Sequence, residues 1–101
     1  MMVVRMLHYK IKPGKLDEYL SHFSKVAERT AGLEGLTFFE LMRDLKDPNT
    51  LLIAQVFEDE AALERYAEVG PDEKYTETVM PLIEEFGLAM TYEVSEAKPL
   101  F

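Results

Sequence analysis

The sequence has no cysteine and no tryptophan, and only two histidines, His8 and His22. Without thiols there are no disulfides, no zinc–thiolate centre and no cysteine nucleophile. The two histidines form neither an H-x-x-x-H nor an H-x-x-E-H spacing, so no metal site is expected. Positive charge is scarce too: 11 Lys and Arg stand against 19 Asp and Glu, for a formal charge of −8. Nucleic acid and anionic membrane both require clustered cations, and neither is expected as a partner. No apolar run approaches the length of a membrane span, and the opening Met1-Met2-Val3-Val4-Arg5 is too short in apolar residues for a signal peptide. A cytoplasmic domain is the expectation. Gly32-x-x-Gly35 lacks the Lys-Ser/Thr of a phosphate loop, and Ser21, Ser24 and Ser95 lie in no nucleophile-elbow motif.

What is present is apolar material, 48% of 101 residues, enough for one domain with a real core. Residues 3–94 read as that domain and 95–101 as an irregular tail. Val3 to Lys12 alternates as a strand, with Val3, Arg5, Leu7, Tyr9 and Ile11 on one face and Val4, Met6, His8, Lys10 and Lys12 on the other. Pro13-Gly14 ends it. A helix follows from about Lys15 to Ala31, burying the stripe Leu16, Tyr19, Leu20, Phe23, Val26, Ala27 and Thr30, with Gly32 as its stop. Leu36–Arg43 and Thr50–Phe57 read as strands joined through the Asp47-Pro48-Asn49 turn. Asp59 caps a second helix over EAALERYAEV, broken by Gly70-Pro71. Helix restarts at Asp72, with Tyr75, Val79, Leu82, Ile83 and Phe86 on one stripe. Pro81 divides it, Gly87 closes it, and Leu88 to Val94 is the fourth strand.

The order β-α-β-β-α-β predicts an α+β fold of the ferredoxin-like kind, with helices on one face of the sheet. Strands one to three are nevertheless apolar on both faces: Val4 and Met6 oppose Leu7 and Tyr9, and Phe38 opposes Phe39. Two helices cannot cover both sides. A second copy of the same sheet is the simplest cover, so the expectation is a homodimer through the sheet face.

At this point the residues resemble the antibiotic-biosynthesis-monooxygenase-type family of dimeric α/β barrels. The resemblance spans residues 3 to 94. It rests on Lys12-Pro13-Gly14-Lys15 leading into LDEYLSHFSKVAE, Gly32-Leu33-Glu34-Gly35 leading to Phe39-Glu40-Leu41, and the Asp44…Asp47-Pro48 turn. Val56-Phe57-Glu58-Asp59-Glu60-Ala61-Ala62-Leu63 completes it. The resemblance implies the dimeric barrel and a pocket between helices and sheet in each subunit. For chemistry it implies one of several kinds, since the family includes oxygenases that use no metal or flavin, haem-degrading enzymes and small isomerases. Two positions depart from the pattern. Phe57 stands where an aromatic, often Trp, closes the third strand, and Tyr66 stands where relatives commonly carry a His on the second helix.

Oxygenation of a phenol without a cofactor needs a dry aromatic cavity, help with deprotonation, and room for O₂ beside the resulting anion. His22, beside Glu18 one turn earlier, offers a Glu–His pair for proton transfer; the alternative is a surface-flank residue. His8 reads as a packed or interface histidine. Tyr9, Tyr66, Tyr75 and Tyr92 offer hydroxyls to orient a ligand, or simply core rings. Arg5 and Arg43 sit on strands beside apolar residues, where a lone charge is costly; each pairs with Glu40 or Glu93, or faces an anionic substrate. The leading expectation is a monooxygenase acting on a small aromatic or quinone-like molecule. His22, Tyr66 and Arg5 would be catalytic, and Leu7, Tyr9, Phe57 and Tyr75 would line the pocket. The rivals are a non-catalytic barrel binding a small apolar ligand, as a stress-response or accessory protein, and an isomerase on the same fold.

Overall fold

Strand β1 (Val3–Ile11) runs up the middle of the sheet because both of its neighbours are antiparallel partners. Helix α1 (Leu16–Thr30) then crosses the sheet, and strands β2 (Leu36–Arg43) and β3 (Thr50–Phe57) follow. Helix α2 (Glu60–Val69), helix α3 (Glu73–Val79), a 3₁₀ turn at Met80–Leu82 and strand β4 (Ile83–Glu93) complete the chain. The strand order is β2-β3-β1-β4, with every neighbouring pair antiparallel, the split arrangement expected of a ferredoxin-like domain. This computed structural model describes residues 1–95, so the expected tail lies, from residue 96 on, outside the described residues.

Local chemistry accounts for the helix ends. The Asp59 carboxylate accepts the Ala62 N–H at 2.9 Å and starts α2; the Asp72 carboxylate accepts the Tyr75 N–H at 2.7 Å and starts α3. Helix α1 buries Tyr19, Val26 and Thr30, and the chain leaves it through Gly32 at φ +79°. Gly35 has a different task. Its φ is +88°, and a Cβ there would come within 2.5 Å of the Ala62 side chain, so glycine lets α2 lie close against the start of β2. That contact sets where α2 holds Tyr66.

The chain differs from its expected course between α3 and β4. Ile83 and Phe86 do not continue a helical stripe; they begin β4, and Gly87 lies inside that strand rather than closing a helix. Pro81 explains the change, since it has no N–H to extend α3 and occupies the start of the 3₁₀ turn instead. The free edge of β1 then gains a longer partner: Ile83 pairs with Ile11, Phe86 with Tyr9 and Leu88 with His8, with a register shift around Gly87. A Cβ on Gly87 would fall 2.6 Å from His8 Nδ1, so the bulge brings backbone against that imidazole.

The register divides the sheet cleanly. On the helix side, Phe39, Gln55, Arg5 and Thr91 form one cross-strand row, and Leu41, Ile53, Leu7 and Ala89 form the next. Two buried clusters sit under the helices, one on Tyr9, Ile11, Tyr19, Leu51 and Ile53, the other on Val3, Phe57, Ala62 and Tyr66. On the opposite side the rows are Phe38-Val56-Val4-Tyr92, Glu40-Ala54-Met6-Met90 and Met42-Leu52-His8-Leu88. Among the described residues no helix covers these, and Phe38, Met90 and Tyr92 are 44%, 45% and 43% exposed. No helix among the described residues is long and apolar enough to cross a membrane.

Candidate functional site

Between the two buried clusters the helices stand off the sheet and leave a cavity of about 190 Å³. It is bordered by a chain of aromatic rings. Phe86, Tyr9, Tyr19, Phe23, Phe39 and Tyr66 follow one another with centroids 5.4 to 6.2 Å apart, and all six line the space. Edge-on contacts predominate, which hold the rings in fixed mutual orientation. A cavity of ~150 Å³ with apolar walls accepts benzene, so this one has room for a compact ligand of one or two rings.

The polar groups are few and specific. Arg5 is the one charged side chain on the lining, half-buried on β1. Directly across on β3, Gln55 is 1% exposed and its Oε1 accepts an Arg5 N–H at 3.2 Å. Among the described residues no carboxylate oxygen lies within 4.0 Å of Arg5; the ion pairs found join Lys10 to Asp47 and Glu84. The register gives the reason. Glu40 projects from the opposite face of the sheet, and Glu93 sits across from Val3 while Thr91 sits across from Arg5. The remaining N–H groups of a guanidinium are strong donors for an anionic or carbonyl oxygen.

Four tyrosines supply hydroxyls. Tyr9 and Tyr19 hydrogen-bond each other. Burial pushes the Tyr9 phenol well above its ordinary range, with the neighbouring Tyr75 and Tyr66 adding to the effect. Burial also raises Tyr66, partly offset by the Gln55 amide and the Arg5 guanidinium near its hydroxyl. Tyr75 is pushed up to about 12, again by burial, with Tyr66 adding and Arg29 opposing. All three are therefore neutral O–H groups near pH 7, able to donate to a ligand oxygen and poorly suited to abstract a proton.

Of the residues singled out in the sequence, Arg5, Leu7, Tyr9, Tyr66 and Tyr75 meet around this cavity. Phe57 does not line it: the ring is 0% exposed, packed behind Tyr66 with centroids 5.6 Å apart. His22 lies outside as well, in a surface cleft between α1 and α3. Arg43 is exposed at the end of β2, and His8 is exposed on the uncovered sheet face beside Leu52 and Leu88. Gln55, Phe39 and Phe86 are cavity residues that sequence reasoning passed over. Gln55 did carry a signal. It is the lone amide in the otherwise apolar run TLLIAQVF, on the inward face with Leu51, Ile53 and Phe57, where an amide needs a partner.

Three comparisons bear on this site. The family model described as "Antibiotic biosynthesis monooxygenase" matches residues 2–69. A Bacillus subtilis (strain 168) protein named "Putative monooxygenase YcnE" is 28% identical over 69 residues, spanning 68% of this chain and 73% of that one. Among solved structures, a "putative antibiotic biosynthesis monooxygenase" of Deinococcus radiodurans superposes with a TM-score of 0.80 at 15% identity, over 100% of this chain and 99% of that one. SnoaB of Streptomyces nogalater, a cofactor-independent oxygenase solved as a point mutant, gives 0.77 at 16% identity, over 97% of each chain. At those identities the structural likeness is one of fold.

The raised phenols have a consequence for stability at alkaline pH. A tyrosine that ionises near pH 10 in the unfolded chain but only near 12 at Tyr75 favours the folded state less and less as pH climbs between those values. Its stabilisation is complete below the unfolded pKa and gone above the folded one. Denaturant midpoints measured from about pH 9 to 12 are expected to fall steeply in the native protein and less steeply in Tyr75→Phe. Equal slopes in the two proteins would mean that Tyr75 ionises as freely folded as unfolded.

Proposed function

We propose, from the premise that the chain belongs to the antibiotic biosynthesis monooxygenase family, that it oxygenates a small phenolic or hydroquinone-like molecule in the cavity between helices and sheet, without metal or flavin. The observation that carries this reading is Arg5, a cation without a carboxylate partner among the described residues, opening into a space otherwise walled by aromatic rings. Such a group compensates a phenolate that has left bulk water, because a fixed cation among apolar walls replaces part of the lost hydration. Gln55 holds the guanidinium in place, and the Tyr66 hydroxyl adds a second donor.

The chemistry then follows from the substrate itself. Ionisation of the phenol produces an electron-rich ring, and the proton leaves to water at the cavity mouth. The anion passes one electron to O₂, and the two radicals recombine at a ring carbon that bears hydrogen. The resulting peroxide anion takes a proton back from water, and the hydroperoxide so formed loses the ring hydrogen together with its outer hydroxyl as water, leaving a carbonyl. One oxygen atom enters the product and the other becomes water, with every electron drawn from the substrate. The protein's share is to bind the ring, stabilise the anion and exclude bulk water. Of the large residues able to fill such a space, Met6 and Phe38 project from the other face of the sheet, while Phe39 lines the cavity as one of its walls and leaves about 190 Å³ open beside it, which supports a ligand-binding cavity.

In this reading the working form is a cytoplasmic homodimer that buries the uncovered sheet face. The exposed apolar side chains of that face support it: Phe38, Met42, Leu88, Met90 and Tyr92 are all exposed there, and contiguous apolar surface of this kind marks an interface.

Two measurements test the proposal. Oxygen uptake with a panel of hydroquinones and naphthols is expected to be independent of chelators. It should fall ~10²-fold or more in Arg5→Met, the scale set by loss of an oxyanion donor, and ~10-fold in Tyr66→Phe, while His22→Ala stays near the native rate. Uptake that is absent throughout, or unchanged in Arg5→Met, would remove the oxygenase assignment. Sedimentation should give a mass twice 11.6 kDa, reverting to the single-chain mass in Leu52→Glu/Met90→Glu. A native protein of single-chain mass at micromolar concentration would remove the dimer.

A further inference from the structure

A second group of cations lies outside the cavity, in the cleft between α1 and α3. Lys25 and Arg29 of α1 and Lys74 of α3 line it. Three of the chain's 11 basic residues thus share one groove, on a protein whose formal charge is −8. Among the described residues none of the three has a carboxylate oxygen within 4.0 Å. Arg29 is fixed in place by donating to the Gly70 carbonyl at 2.9 Å. Asp72, the one acid on the lining, is occupied in accepting the Tyr75 N–H at 2.7 Å.

The position of this groove matters as much as its charge. Val26 and Tyr75 line both the cleft and the cavity, so the two spaces stand back to back with these side chains as their common wall. Val26 is buried, while Tyr75 is only half-buried and sits on a helix of seven residues between Gly70-Pro71 and Pro81. The other open flank of the cavity, beside exposed Met80 and Phe86, is apolar. On this protein a small anion is repelled at long range by the net charge and attracted at short range by the three cations of this groove. Inside, the same charge meets Arg5.

We propose that the α1–α3 cleft is the entrance for the cavity's ligand and that the ligand is an anion, an aromatic carrying a carboxylate or phenolate. Lys25, Arg29 and Lys74 collect it from solvent, and it passes Tyr75 to reach Arg5. This rests on reading the cavity as a ligand site, though not on any oxygen chemistry there.

Stopped-flow fluorescence with 2-naphthoate and 2-naphthol at pH 7 separates the terms, because the two probes share a ring system and differ in charge. The net charge alone makes naphthoate bind faster as salt rises. A cationic entrance makes it bind slower, by ~3-fold or more as the screening length falls from about 20 to 7 Å. The Lys25→Glu/Lys74→Glu variant is expected to lower the naphthoate association rate ~10-fold at low salt and to leave naphthol within ~2-fold. Lys12→Glu/Lys46→Glu, an equal change of net charge at exposed sites away from the cleft, should alter neither rate by more than ~2-fold. A naphthoate rate that rises with salt, or that drops equally in the two variants, overturns the entrance and leaves the apolar flank as the route. Failure of either probe to bind at millimolar concentration overturns it too. If the charge dependence holds while oxygen uptake is absent, the oxygenase reading falls and the entrance stands.

Discussion

Arg5 brings its charge into a space lined by rings, and Gln55 on the facing strand is the protein group that holds it there. The arrangement is a consequence of sheet register. Arg5 and Gln55 are directly opposed on the two central strands, so they meet on the face that the helices cover. A guanidinium bonded to one neutral amide is incompletely compensated for loss of water, and an anion in the cavity would complete it. The tyrosines behave consistently with that environment. Burial raises their phenols further above neutrality, so they stay donors and walls and none of them supplies a negative charge to Arg5.

The same sheet explains why the two sides of the molecule differ. On the helix side, helices stand over β1 and β3 but leave a gap between two packed clusters, and that gap is the cavity. On the other side three largely apolar rows, interrupted by Glu40 and His8, have no helix over them among the described residues. Arg5 and Met6 are adjacent in sequence and face opposite ways, one towards the cavity and the other towards the sheet face that no helix among the described residues covers. A shift of one residue in the pairing of β1 would exchange those roles.

Much of this was legible in the sequence because it depends on short-range chemistry. Strands β2 and β3 have the ends that alternation predicts, and Asp59 and Asp72 cap the helices that follow them. The course after α3 was not legible, because Tyr75, Val79, Leu82, Ile83 and Phe86 fit a helical stripe. What overrides that pattern is long-range: Pro81 stops the helix, and the open edge of β1 recruits the chain as a strand. Which side chains meet at the cavity was legible for Arg5, Leu7, Tyr9, Tyr66 and Tyr75, where alternation and helical spacing set the facing. Phe57 and His22 show the limit of that reasoning. Facing inward does not tell whether a side chain meets a cavity or solid core, and Phe57 meets core. His22 lies at the edge of the α1 stripe, where a small rotation decides between cavity and cleft, and it lines the cleft.

The central claim is that the cavity holds its ligand as an anion against Arg5, and the ultraviolet spectrum of a bound naphthol reports this directly. At pH 7 a free naphthol absorbs as the neutral phenol. Bound in the native protein it is expected to show the naphtholate band, lost in Arg5→Met at full occupancy. A bound naphthol that keeps its neutral spectrum in the native protein, or shows the same naphtholate band in both, would contradict the account.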